Sequence, residues 1–140
     1  GGLLALSAET YSFTGGAHGN TGYRALLWDR KRGQPVAFQA LFASWPRTLA
    51  RLTRAFCPAL DAERAKRRGA PVDKADMFGE CPKLADQTLL PGGVRGGRFT
   101  AVRVLIGPYE AGPYAEGTYE LVLPLDPALV TPAWRGAFGR

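Results

Sequence analysis

The sequence predicts an α+β domain: a mainly antiparallel sheet with one central kinked helix. Three observations predict it. Runs with strand-like alternation lie both before and after the single stretch with helical periodicity. Glycine- and proline-rich joins of hairpin type connect the extended runs. A proline, Pro58, falls inside the helical stretch, where it lacks the amide donor and clashes with the preceding turn, so it must kink or divide that helix.

Leu3 to Phe13 reads as extended, with Tyr11 and Phe13 alternating against Ser12 and Thr14. The glycine-dense connection from Thr14 to Gly22 leads into a second strand, Tyr23 to Trp28, so the two should form a long-looped hairpin. Asp29 to Gln34 is a turn with Gly33 suited to positive φ, and Pro35 to Phe38 is a short extended piece. Ser44, followed by Trp45 and Pro46, is a helix start, because its hydroxyl can cap and the proline suits the first turn. Leu49, Leu52, Phe56 and Leu60 recur at helical intervals and leave the arginines outside. Gly69 and Pro71 end the helix, and residues 69–83 read as irregular. Thr88 to Leu90 is a short strand and Pro91 to Gly97 a turn region. Phe99 to Ile106 is the clearest strand, with Val102, Val104 and Ile106 on one face. Gly107 to Glu116 is a loop. Thr118 to Leu123 alternates Tyr119, Leu121 and Leu123 against Thr118, Glu120 and Val122, and a short helical piece lies around Pro127 to Val130.

Composition bounds the function. A chain of 140 residues fits one domain, taken as 1–140. No window approaches the roughly 18 apolar residues of a membrane span. One histidine and two cysteines exclude zinc fingers and multi-histidine metal centres, so no metal or cofactor is expected. The charge is uneven: residues 47–68 hold Arg47, Arg51, Arg54, Arg64, Lys66, Arg67 and Arg68 against Asp61 and Glu63, which is +5 of the net +6. The expected reading is the solvated face of one helix. Binding to nucleic acid through this block would predict a steep loss of affinity with salt. Apart from Phe56 no aromatic residue is interleaved with the arginines, and no nucleic-acid partner is expected.

Cys57 and Cys81 form an even pair at wide spacing, excluding a CxxC redox site. Between them lies a polar, proline-containing stretch that looks hard to order without a staple. A Cys57–Cys81 disulfide is therefore expected, worth about 3–4 kcal/mol in the loop-entropy picture, and with it an oxidising compartment. Buried free thiols are the alternative. Gly1 to Leu6 is too short for a signal-peptide core, so the chain is expected to be a mature or trimmed product whose export signal lies elsewhere.

Two motifs carry chemistry. In Gly15-Gly16-Ala17-His18-Gly19-Asn20 the glycines permit a tight turn. No lysine-serine or lysine-threonine pair follows them as a phosphate loop needs, so Gly15, Gly16, His18 and Gly19 read as a structural turn whose imidazole bonds the loop backbone. The second motif, Gly107 to Gly117, repeats Gly-Pro-Tyr five residues apart. Its prolines stiffen the loop, and Tyr109 and Tyr114 offer contact area and hydroxyls at small entropic cost. Glu110 and Glu116 could also be read as a carboxylate pair for glycoside hydrolysis, with His18 as their partner.

Tyr11-Ser12-Phe13-Thr14-Gly15-Gly16-Ala17-His18-Gly19-Asn20, then Asp29 and Gly33, then Ala40-Leu41-Phe42, then Pro108-Tyr109-Glu110-Ala111-Gly112-Pro113-Tyr114-Ala115-Glu116-Gly117 together resemble one family. It is the domain of unknown function that forms the C-terminal half of the RsiV anti-sigma-factor ectodomain. The domain also occurs beside peptidoglycan deacetylase domains and in stand-alone bacterial lipoproteins. The resemblance spans about residues 4–130. It implies a fold related to a subdomain of the heat-shock-cognate ATPase fold, without nucleotide binding. It implies a periplasmic or otherwise extracytoplasmic location, with a lipid anchor upstream as one option and no other membrane contact. It also implies a non-enzymatic role: recognition of a protein, lysozyme in the RsiV branch, or of a peptidoglycan-related ligand. The partner-binding residues it implies are Pro108, Tyr109, Glu110, Pro113 and Tyr114. The family's upstream partner domain is not in this sequence. A cell-wall hydrolase using His18 with Glu110 or Glu116 is the alternative function.

Overall fold

The computed structural model describes residues 2–140; Gly1, where the sequence opens, lies outside the described residues. The first sheet comprises β1 (Leu3–Ser12), β2 (Asn20–Asp29) and β3 (Gln34–Pro35), and the second comprises β4 (Thr88–Gly92), β5 (Ala101–Ile106) and β6 (Tyr119–Pro124). Between them in sequence runs one long helix, α1 (Trp45–Arg68). The architecture is thus α+β with antiparallel pairing between all neighbouring strands, but the strands divide into two three-stranded sheets where the sequence predicts one.

β1 and β2 pair along their whole length, from Leu3 opposite Asp29 to Ser12 opposite Asn20, so residues 13–19 form the tip of the hairpin. Asp29 closes the turn into β3: its carboxylate accepts from the amides of Lys31 and Arg32, and Gly33 takes φ 66°. Phe38 is not extended as expected but opens a 3-10 turn, Phe38–Leu41. Ser44 caps α1 by accepting from the Arg47 amide, and Gly69, at φ 70°, terminates it. The helix is not divided at Pro58 but continues through it as one 24-residue element. Pro58 is exposed, so the Arg54 carbonyl that loses its helical donor faces the solvent side and can bond water.

Thr48, Leu52, Phe56, Leu60 and Arg64 form the buried stripe of α1, while Leu49 is half-buried beside it. The apolar members join Val102, Val104, Ile106, Tyr119, Leu121 and Leu123 in one hydrophobic core. The alternation expected for β6 holds, with Tyr119, Leu121 and Leu123 inward. β5 is buried on both faces, because Ala101 and Leu105 are covered as well as the expected valines and Ile106. As the central strand, with β4 and β6 on its flanks, it has no free edge. β4 extends two residues further than expected, through Pro91 and Gly92.

The expectation that α1 leaves its arginines outside fails at its C-terminal end. Arg64 is fully buried. Its Nη1 donates to the carbonyls of Phe78 (2.7 Å), Glu80 (3.0 Å) and Ala111 (3.1 Å), and its Nη2 donates to the Asp61 carboxylate (2.7 Å). Cys57 and Cys81 form the expected disulfide, with Cα atoms 5.7 Å apart. The irregular 69–83 segment is therefore tied to α1 by the disulfide, by Arg64 and Arg68, and by an ion pair from Lys74 to Asp61.

Candidate functional site

The hairpin tip and the 107–117 segment are remote in sequence, yet they meet. The His18 and Tyr114 rings stack with centroids 3.6 Å apart and planes 10° from parallel. His18 Nδ1 lies 2.9 Å from the Gly19 carbonyl, and its Nε2 lies 3.0 Å from the Tyr109 hydroxyl. A carbonyl can only accept, so Nδ1 carries the proton. In the neutral ring Nε2 is then the acceptor and the tyrosine hydroxyl donates to it. Tyr109 and Tyr114 lie 5.6 Å apart, completing a cluster of three rings.

Each ring is fixed by local backbone chemistry. Gly15 and Gly16 take φ 103° and 91° in the exposed tip, conformations closed to most side chains. Gly19 is buried, and a Cβ there would fall on the Tyr11 hydroxyl and the Ser12 carbonyl. Tyr109 is the one non-glycine residue at positive φ among the described residues, at 69°. For a tyrosine that conformation costs about 1–2 kcal/mol, and its hydroxyl bond to His18 holds it there. Pro108 is half-buried, and Glu110 and Pro113 are exposed. Tyr114 opens a 3-10 turn, Tyr114–Glu116, that presents its ring to His18.

Beneath the rings the segment is bolted to α1. Arg68 Nε donates to the Glu116 carboxylate at 2.6 Å, and its Nη2 donates to the Ala111 carbonyl at 3.2 Å, an acceptor shared with Arg64. Arg67 donates to the carbonyls of Glu116 and Thr118 and stacks over the Tyr119 ring, 3.7 Å from its centroid. Tyr119 in turn hydrogen-bonds the Glu116 carboxylate through its hydroxyl. The Arg68 bond holds Glu116 below the usual carboxylate range, against the opposing effect of burial and with help from Tyr119. Burial, reinforced by Glu116, pushes the Tyr119 phenol up to about 12.

The carboxylates of the alternative hydrolase reading are differently placed: Glu110 is exposed, while Glu116 is part-buried. Glu116 is engaged by Arg68 and Tyr119, and among the described residues no hydrogen bond or ion pair joins His18 to Glu110 or Glu116. Groups able to hold a metal ion are also absent among the described residues. No helix of the described chain is long and apolar enough to cross a membrane.

Sequence reasoning brought out both loops but missed their junction and the aromatic residues beside it. Tyr11 and Phe13 are 67% and 60% exposed at the same hairpin end, and Tyr109 is 51% exposed. Their signal was present in the strand alternation, which places Tyr11 and Phe13 on one face of a strand end with nothing to cover them.

No family model and no curated protein matches the chain. Among solved structures it is similar to the crystal structure of a DUF3298 family protein from Pseudomonas aeruginosa PAO1, with a TM-score of 0.57 and 21% sequence identity. That likeness covers 99% of this chain and 59% of the Pseudomonas chain, so this chain spans less than two thirds of that protein. At such identity the likeness is one of fold.

Proposed function

We propose that this chain is an RsiV-like, extracytoplasmic binding domain of the cell envelope that grips a protein or a peptidoglycan-related ligand without transforming it. The observation that carries the reading is Tyr109. Its ring is half-exposed on a left-handed backbone, bonded to His18, on a segment anchored from below by three arginines. Stiff, partly exposed aromatic side chains supply contact area at low entropic cost, as binding loops do. Tyr11 and Phe13, exposed at the hairpin end that carries His18, add further aromatic surface. The disulfide supports an oxidising compartment outside the cytosol. The fold likeness to a DUF3298 family protein agrees with a domain of this kind.

The test is capture by this aromatic rim. The purified chain is sedimented with insoluble peptidoglycan and, separately, titrated with immobilised lysozyme. The expected result is saturable binding to one of the two, weakened at least about tenfold by Tyr109→Ala, since a central aromatic anchor contributes about 2 kcal/mol or more. Failure to bind either ligand, or equal binding by the variant, overturns the reading. Release of soluble glycan fragments that His18→Ala abolishes would establish the hydrolase alternative instead.

A further inference from the structure

A second site lies away from the rim, where the end of the second sheet meets the first half of α1. A cleft of about 600 Å³ opens there, lined by Arg51, Arg95, Arg140, Val122, Leu125 and Asp126, among others. Its volume falls within the range of roughly 300–1,000 Å³ typical of small-molecule sites. Its wall is aliphatic: Val122 points outward from β6 and is 58% exposed, beside Pro124 and Pro127. No aromatic residue lines it, so it offers no platform for stacking a base or a sugar ring.

The cleft is also positively charged. Asp126 lies 3.7 Å from Arg51 and offsets that one guanidinium. Arg95 and Arg140 have no ion-pair partner among the described residues. An adjoining cleft of about 400 Å³ shares Asp126, Pro127 and Arg140 and adds Arg98 and Arg135. This concentration of charge differs from the one the sequence shows. Arg64, Arg67 and Arg68 of the basic block are consumed by carbonyls and carboxylates at the other end of α1. Arg51, from the same block, turns instead toward arginines contributed by residues 95–140.

We propose that this cleft binds a small organic anion carried on an aliphatic body, with a carboxylate or phosphate between Arg95 and Arg140 and the alkyl part against Val122 and Leu125. Guanidinium forks suit both head groups, and the aliphatic wall supplies the apolar contact that a bare anion could not use.

Calorimetry and amide chemical shifts of the whole chain, with octyl phosphate and octanoate below their micelle-forming concentrations, test the proposal. Inorganic phosphate and octanol serve as single-feature probes. The expected result is saturable binding of octyl phosphate or octanoate, with shifts confined to residues 93–101, 122–127 and the neighbourhoods of Arg51 and Arg140. The two alkyl anions tell a phosphate head from a carboxylate head. Binding should weaken about tenfold in Arg95→Gln/Arg140→Gln, the loss of a charge-assisted contact of about 1.5 kcal/mol. Both side chains are exposed, so that variant should keep its fold. Tyr109→Ala should bind unchanged, which separates this site from the rim. No saturable binding, equal binding of octanol or of inorganic phosphate, or an unaffected double variant overturns the proposal.

Discussion

Arg64 and Ala111, forty-seven residues apart, are joined by a hydrogen bond of 3.1 Å from the buried guanidinium to the backbone carbonyl at the base of the tyrosine loop. The same guanidinium holds the carbonyls of Phe78 and Glu80, just before Cys81. Two irregular segments therefore converge on one cation, and the aromatic rim stands on one of them.

Replacing Arg64 should damage both segments at once. Arg64→Met fills much of the volume but leaves the Glu80 carbonyl without its donor and takes one of two donors from the Phe78 and Ala111 carbonyls and from the Asp61 carboxylate. The expected loss is about 1–3 kcal/mol, the usual range for leaving a buried acceptor unsatisfied. Arg64→Lys should recover little, because one ammonium cannot span a fork aimed at acceptors on three sides. Chemical denaturation gives the stability. Hydrogen exchange should show residues 76–81 and 107–117 losing protection together, and loss in only one of them would contradict the shared anchor.

Reduction of Cys57–Cys81 should have a narrower effect. The bridge closes a loop across a separation of 24 residues, worth about 3–4 kcal/mol if strain is small. Arg64 and Arg68 still grip Phe78 after reduction. Residues 69–73, which lie before the Lys74–Asp61 ion pair and have no such grip, should therefore lose protection first. A Cys57→Ser/Cys81→Ser variant should lower the denaturation midpoint by the corresponding amount without unfolding α1, with far-ultraviolet circular dichroism as the check.

Glu116 and Tyr119 give stability a limit at each end of the pH scale. Glu116 is held below its ordinary value of 4.5 in the folded state, by Arg68 above all. Its contribution is complete above that value and is lost as pH falls through the folded value. Asp61 acts in the same direction: burial pushes it up, but hydrogen bonds from Lys74 and Arg64 outweigh this and lower it. Tyr119 is raised from 10.0 to about 12, so its contribution is complete below pH 10 and is lost as pH rises toward 12. Denaturation midpoints measured across pH should fall on both limbs. Glu116→Gln should flatten the acid limb only in part, since Asp61 remains, and should weaken the alkaline limb by removing the partner of Tyr119.

The parts legible in the sequence are those decided by local rules. Ser44 and Gly69 bound the helix because a cap needs a hydroxyl at one end and a left-handed residue at the other. Val102, Val104 and Ile106 declared a buried strand, and the even cysteine pair declared its bridge. Arg64 departs from the expected outer face for a physical reason. Helical periodicity marks which face is apolar and assumes that a cation belongs on the other. Arg64 occupies the apolar face, one turn beyond Leu60, and is held there by Asp61 one turn before it and by carbonyls of segments whose path no local pattern encodes. The rim was half legible for the same reason. His18 and the tyrosines each drew notice as motifs, but their stacking depends on how the hairpin and the second sheet pack. Tyr109 left no trace of its left-handed backbone, since glycine is the residue that signals such a position.

That backbone separates function from stability at Tyr109. A tyrosine at φ 69° bears a strain of about 1–2 kcal/mol that glycine would not. Tyr109→Gly and Tyr109→Ala both remove the ring and its bond to His18, and they differ only in whether the strain remains. Tyr109→Gly should therefore be about 1 kcal/mol more stable than Tyr109→Ala, by the usual margin for glycine in this conformation. It should also bind no better than Tyr109→Ala to whichever ligand the rim captures. Tyr109→Phe should keep the ring and lose only the hydroxyl bond to His18, so its binding should lie between the two extremes. If Tyr109→Gly instead retained full binding, the ring would serve packing alone, and the strain at this position would have to be explained by something other than recognition.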